Sequence, residues 1–472
     1  MQKNEGGVFC GSNRESNRRL YQLALGSPAH DYPGRGGLFL TIRLGFFQFR
    51  HLFYMWGQTF GQMMKKPEDP NAISPFQAAT AAIASTIGAA NIVGVPVAIA
   101  FGGPGAVFWM WIIALLGCAS KFSEIVLGIK YREKDASGEY VGGPTYYLAK
   151  GFKNEALGKF LAGWFAFFLM IEIIPSISTQ TVSAAQNAAT LGIPDIATGI
   201  AMALIVLVIV VGGTKRLVQV TERLVPVMAL IYVIGALVVI GVNIDKLPGV
   251  FVLIFESAFA PMAPVGGFAG STLALALRWG AARGTYSNEA GMGTAPIAHA
   301  TAQTDHPVRQ GFWGIFEITL DTLIVCTVTA LVVLVTGAWQ AVPGDQAAAM
   351  PSMAFQTVFG KVGDYVVTIS ILLFVLSTVI VLMFYGERQA RFLFGYKFSR
   401  IWKFIYIAAI LFGVFGGLEF LYQFLDFFLA LVILPNMIAL IALSGEVRDL
   451  KNEFFTGEQY YLRDKARKHA KK

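Results

Sequence analysis

STIGAANIVGVPVAIAFGGPG, residues 85–105, decides the fold. The run sits in an apolar block that begins near residue 76 and has the length needed to cross a bilayer core, about 20 residues. Gly88, Asn91, Gly94 and Pro96 fall close together at its middle, where a lipid-facing helix gains nothing from them. Breaking a helix in hydrocarbon frees N–H and C=O groups, each costing several kcal/mol unless something else binds them. Such a break is tolerated where the freed groups line a cavity. Half-helix N-termini then offer N–H groups to a carboxylate, and exposed carbonyls offer oxygens to a small cation. Glycines for close helix packing are the simpler account of one such segment. A second segment, LRWGAARGTYSNEAGMGTAPIAHATA (residues 277–302), follows about 200 residues later and is equally rich in small and polar residues. Two interrupted spans, each opening a block of five, are the trace of an inverted repeat with its binding site at the midplane.

The rest of the chain fits a polytopic membrane protein. Of 472 residues, 55% are hydrophobic and 14% charged, and mean hydropathy is +0.58; a soluble protein carries about 25% charged residues. Apolar blocks lie near 76–101, 104–128, 158–189, 197–213, 225–243, 266–298, 311–336, 363–386, 401–417 and 420–444, with a shorter one near 37–49. If the first of the ten starts in the cytoplasm, the inner segments hold Arg50, Lys65, Lys66, Lys130, Arg132, Lys134, Lys215, Arg216, Arg223, Arg309, Arg388, Arg391 and the basic tail. The outer segments then hold little besides Lys246 and Lys361. The positive-inside rule favours this orientation. NIDKLPGVFVLIFESAFAPMAPVGGFAG is too broken by Pro and Gly to be one helix, and DQAAAMPSMAFQTVFG reads as a short helix over the external face. The net charge of +8 resides in these short segments and the tail, so it sets orientation and does not point to nucleic acid. Cys10, Cys118 and Cys326 offer neither a disulfide framework nor a metal spacing. The N-terminus lacks the apolar core of a signal peptide. No nucleophile–base spacing, phosphate loop or metal cluster points to an enzyme.

Several residues carry candidate chemistry. Backbone groups of Gly88, Ala89 and Ala90 are candidate partners for a substrate carboxylate, and the Asn91 amide could coordinate a cation or cap the second half-helix. Ser287, Asn288 and Gly291 follow the same logic in the second break. Arg283 and Glu289 lie in that segment too, as a structural charge pair or as substrate contacts. Lys121 and Glu124 are three apart on one helix face and are expected to pair and snorkel. Asp321 lies inside a span, for gating or a polar helix contact, while His299 and His306 are placed at the inner side. Ser377 and Thr378 are adjacent hydroxyls in an apolar run; such hydroxyls commonly bond back to their own helix. Glu172 falls near the midplane of its span, where an ionised carboxylate is costly without a partner, and Pro175 frees a carbonyl close by. It reads either as a carboxyl hydrogen-bonded between helices or as a proton acceptor or counter-charge for a substrate amine.

The runs ANIVGVPVAIAFGGPGAVFWMW, GGPTYYL, SNEAGMGTAPIAHA, HPVRQG, DTLIVCTVTAL and LPNMIALIAL occur in this order. Over roughly residues 37–446 the chain resembles the alanine or glycine:cation symporter family. The resemblance implies an all-α broken-helix amino-acid transporter fold, with two inverted five-helix repeats preceded by one extra helix. It also implies uptake of a small neutral amino acid driven by Na⁺, or sometimes H⁺. By that likeness Ser377 and Thr378 complete a Na⁺ site with the carbonyls of Ala84 and Ile87. Three features depart from the family pattern. Gly88-Ala89-Ala90-Asn91 stands where Gly-(Thr/Ser)-Gly-Asn is usual, removing a hydroxyl. Val381 and Leu382 replace a Gly-Trp pair, so Leu382 takes the place of an aromatic wall of the pocket. SPAHDYPGRG precedes the extra helix where apolar residues are expected. The family carries no acid at the position of Glu172.

The expectation is a cell-membrane symporter of the alanine or glycine class with Na⁺ as coupling ion, no other cofactor, and no partner beyond its cargo and the bilayer. Its organisation is an atypical N-terminus over 1–36, a transmembrane domain over 37–446 and a basic cytoplasmic tail over 447–472. The alternatives are an H⁺-coupled or differently selective transporter, a sensor that binds amino acid without moving it, and an intramembrane enzyme.

Overall fold

A computed structural model describes residues 31–61, 63, 73–135, 138–415 and 418–462. Residues 1–30, most of the expected atypical N-terminus, lie outside the described residues, as do the last residues of the tail, 463–472. Residues 31–36 open the first helix, α1 (Asp31–Arg43), which ends where Gly45 and Phe46 turn left-handed; α2 (Leu52–Phe60) follows.

The first interrupted span is α3 (Pro75–Thr86) and α4 (Val95–Gly102), joined by a wide π turn over Ala90–Gly94 and bent by 48°. Ser74 starts α3 with a capping box: its Oγ accepts from the Gln77 N–H at 3.1 Å while Gln77 Oε1 accepts from the Ser74 N–H at 3.0 Å. Pro75, lacking an N–H, occupies the first helical position. The chain continues as α5 (Ala106–Lys130), a hairpin pairing Glu133–Lys134 with Tyr140–Val141, α6 (Pro144–Gly151), α7 (Glu155–Ala189), α8 (Asp195–Val211) and α9 (Gly213–Val242). The broken stretch expected after α9 forms α10 (Leu247–Phe259) and a loop closed by two β-bridges, Met262–Ser271 and Val265–Phe268.

The second interrupted span is α11 (Leu273–Asn288) and α12 (Ala295–His299). Next come α13 (Pro307–Ile318), a π turn over Thr319–Cys326, α14 (Thr327–Val335), the short α15 (Met350–Phe359), α16 (Lys361–Gly413), α17 (Leu418–Ala442) and α18 (Ser444–Thr456). The blocks at 363–386 and 401–417 merge in α16, which turns at Gly395 (φ 82°). Among the described residues six helices are long and apolar enough to cross a membrane, or seven with the bent pair. The other blocks of the expected ten fall on α8, the α11–α12 pair and the part of α16 beyond Gly395.

Helix α7 packs along α16 and α17, and α5 packs on α11 and α13. The surface of this bundle is apolar in helical rows: Ile200, Leu204 and Val208 on α8, and Val227, Leu230, Ile234 and Leu237 on α9, are exposed. Such rows on the outside, with polar groups inside, suit lipid as solvent.

Candidate functional site

Both breaks open onto one narrow cavity enclosing about 370 Å³ among its lining atoms. It is lined on the first break by Ser85, Thr86 and Ala90, on α7 by Glu172, Ser176 and Gln180, and on the second break by Tyr286, Glu289, Met292 and Thr294. Thr378 and Leu382 of α16 complete it. Ala90, Leu382, Thr378 and Glu172, expected from the sequence as contacts, all face this space.

The first break leaves Gly88 and Ala89 outside any helix, and two side-chain amide oxygens take their N–H groups. Asn91 Oδ1 accepts from Gly88 at 2.9 Å and Gln180 Oε1 accepts from Ala89 at 3.0 Å. Two oxygens aimed at two adjacent N–H groups stand where the oxygens of a substrate carboxylate would dock. Gly88 is also a position of close approach: a β-carbon there would lie 2.7 Å from Thr378 Oγ1.

Thr378 Oγ1 stands 3.1 Å from the Ala84 carbonyl oxygen, 3.4 Å from that of Ile87 and 3.0 Å from that of Phe374 in its own helix. A hydroxyl has one proton, so it satisfies one of these oxygens at a time. Ser377 turns the other way, donating to Phe374 O at 2.8 Å and lying 3.3 Å from Met228 Sδ. The structure thus gathers Ala84, Ile87 and Thr378 and leaves Ser377 outside the group.

Asn91 and Ser287 meet each other away from the cavity lining. Asn91 Nδ2 donates to Ser287 Oγ at 3.0 Å and to Asp321 Oδ1 at 2.6 Å, and Ser287 and Thr322 donate to Asp321 Oδ2 at 2.8 and 2.7 Å. Cys326 Sγ lies 3.2 Å from Ser287 Oγ. One buried carboxylate therefore ties the first break, the second break and the π turn after α13. Asn91→Ala is expected to strand both the Gly88 N–H and this carboxylate, at about 1–3 kcal/mol for each unsatisfied group. The thermal midpoint in detergent should fall by several degrees, with uptake reduced at least tenfold; an unchanged midpoint and uptake would remove Asn91 from this role.

Asn288 and Gly291 lie behind the cavity, accepting through their carbonyls from Lys121 Nζ and Asn436 Nδ2 at 2.9 and 2.8 Å. Two expected charge pairings differ in the structure. Arg283 does not pair with Glu289; its guanidinium lies 3.7 Å from Asp426 Oδ2 of α17. Glu289, left-handed at φ 54°, accepts from Ser85 Oγ at 3.2 Å and Thr294 Oγ1 at 2.5 Å. Lys121 and Glu124 neither pair nor snorkel, because both are fully buried. Lys121 meets Glu317 at 2.9 Å, and Glu124 accepts from Gly293 N–H and Asn436 Nδ2 at 3.0 and 2.6 Å. His299 is buried between Glu317 and Gln310, while His306 caps α13 through Val308 N–H. Burial lowers the His306 imidazole from its ordinary value, with the Glu453 carboxylate opposing.

Sequence reasoning does not single out Gln180 or Ser176. The signal is present nonetheless: Glu172, Ser176 and Gln180 recur every four residues in an otherwise apolar helix, which puts them on one face.

A model of the sodium:alanine symporter family matches residues 35–468. The chain is 51% identical over 430 residues to the uncharacterized transporter YflA of Bacillus subtilis (strain 168), covering 91% of this chain and 90% of that one. It is 39% identical over 416 residues to the sodium/alanine symporter AgcS of Methanococcus maripaludis, covering 87% and 90%. Among solved structures, that of the Eremococcus coleocola manganese transporter with an aromatic bis-isothiourea compound covers 82% of this chain and 77% of that one. The identity there is 13% and the TM-score 0.42.

Proposed function

We propose that this chain, which belongs to the sodium:alanine symporter family, imports a small neutral amino acid of the alanine or glycine class together with Na⁺. The observation that carries the reading is the oxygen group at the first break. Thr378 Oγ1 faces the Ala84 and Ile87 carbonyls at 3.1 and 3.4 Å, and a single proton cannot serve both. Oxygens held by a hard cation of about Na⁺ size at ~2.3–2.6 Å sit roughly 3.3–3.7 Å apart at right angles, so little movement converts this group into ligands. Neutral oxygens suit a monovalent ion that must also leave. Beside it, the Gly88 and Ala89 N–H groups receive the substrate carboxylate once the Asn91 and Gln180 oxygens withdraw. The relatives named sodium/alanine symporter AgcS and amino-acid carrier protein AlsT support this class of cargo. In this reading the C-terminus is cytoplasmic, as the charge asymmetry favours.

One charge crossing ~100 mV contributes about 2.3 kcal/mol, and a roughly tenfold Na⁺ gradient adds about 1.4 kcal/mol. Together they sustain a neutral solute at on the order of 500-fold accumulation. Purified protein in proteoliposomes should show Na⁺-driven uptake and counterflow of alanine, glycine or a close analogue. Absence of cation-dependent flux across a full amino-acid panel overturns the reading, and binding without flux turns it toward a sensor.

A further inference from the structure

Glu172 and Glu289 face one cavity whose lining, among the described residues, contains no lysine, arginine or histidine. The two carboxyls are held differently. Glu289 Oε2 takes two hydroxyl donors, Ser85 and Thr294. Glu172, only 1% exposed, accepts from Ser176 Oγ at 2.6 Å on Oε1, one turn along its own helix. The titratable groups around it supply no positive charge. Glu289 approaches from α11. Tyr406 of α16 donates to Met170 O at 2.8 Å, and Tyr385 of α16 lies 3.2 Å from Ser85 Oγ. Helices α6, α8 and α17 place no residue in the lining, and Asp426 of α17 faces Arg283.

Charge then has to balance within the cargo. A zwitterionic amino acid brings no net charge and one Na⁺ brings a single positive charge, against two carboxylates. One negative charge is left without a partner in a water-poor interior, which is strongly unfavourable. We propose that Glu172 binds a proton with each load of Na⁺ and amino acid and releases it to the cytoplasm, so that the transporter moves H⁺ as well as Na⁺. From the outward-facing state a proton of the external water adds to a Glu172 carboxylate oxygen, giving a neutral carboxyl. In the inward-facing state that O–H bond breaks, the proton passes to cytoplasmic water, and the carboxylate is restored. No other bond changes.

The inference rests on the symport reading, and the test separates the two. Proteoliposomes enclosing a pH-sensitive dye are given a Na⁺ gradient and alanine, glycine or whichever amino acid the uptake panel identifies. Internal acidification should accompany uptake at about one proton per substrate. Glu172→Gln should lose the acidification and flatten the pH dependence of whatever uptake remains, while Glu172→Asp, which keeps a carboxyl, should retain proton flux. Na⁺-driven uptake by the parent without acidification overturns the proposal, as does undiminished acidification in Glu172→Gln. Competition by a cationic amino acid without proton flux also overturns it, assigning the carboxylate to substrate charge. If no amino acid moves on the Na⁺ gradient, the symport reading itself fails.

Discussion

Gly88→Ala is expected to raise the Na⁺ concentration for half-maximal uptake by tenfold or more. The added methyl would sit 2.7 Å from Thr378 Oγ1 and 3.2 Å from Gln180 Oε1. Gln180 ends in a flexible amide and can swing aside. The threonine cannot yield cheaply, since its branched β-carbon has few rotamers and the alternatives take the hydroxyl away from the Ala84 and Ile87 carbonyls. Losing one charge-assisted contact is worth ~1.5–3 kcal/mol, or roughly 10- to 150-fold in affinity. Thr378→Ala should give a similar loss by deleting the oxygen outright. The combination distinguishes mechanism from coincidence: with the threonine truncated, the methyl at position 88 finds room, so the double variant should be little worse than Thr378→Ala alone. Residues in contact couple in this way. If the two losses add, or if neither variant changes the Na⁺ requirement, the coupling ion binds elsewhere.

Lys121→Met should be the most destabilising of these changes. Lys121 and Glu317 are both fully buried, 2.9 Å apart, and the ammonium also holds the carbonyl of Asn288 at the second break. Removing one member of a buried pair typically costs about 3–5 kcal/mol, because the other charge is left without compensation. The variant should accumulate poorly in the membrane, and its thermal midpoint in detergent should fall by many degrees. Lys121→Met combined with Glu317→Gln removes both charges, keeps an acceptor for His299 and should recover most of the loss. A single variant as stable as the parent would mean that the pair is dispensable for holding α5 to α13.

What the sequence discloses follows from which physical rules act locally. The first break is legible because Gly88, Asn91 and Pro96 violate the composition of a lipid-facing helix, and the capping box at Ser74 is local as well. Side-chain direction is not local. Asn91 is at the break as anticipated, yet its amide spans to Ser287 and Asp321, 196 and 230 residues away, and no spacing rule reports that. Lys121 and Glu124 have the spacing of a surface pair; burial by α11 and α13 gives each a distant partner instead. The left-handed Glu289 and both π turns carry no sequence signature, being imposed by packing.

The π turn between α13 and α14 has an effect on geometry downstream. A helix with one surplus residue in a turn emerges rotated by about 100° relative to an uninterrupted one. Thr329, on the far side of that turn, lies 2.8 Å from the buried Tyr232 hydroxyl of α9, and it does so only with the rotation included. Thr319–Cys326 thus behaves as a phase shifter in the chain. It turns Asp321 toward the two breaks while dialling the next three turns of helix so that their polar edge meets α9, and the two halves of one span can serve different neighbours.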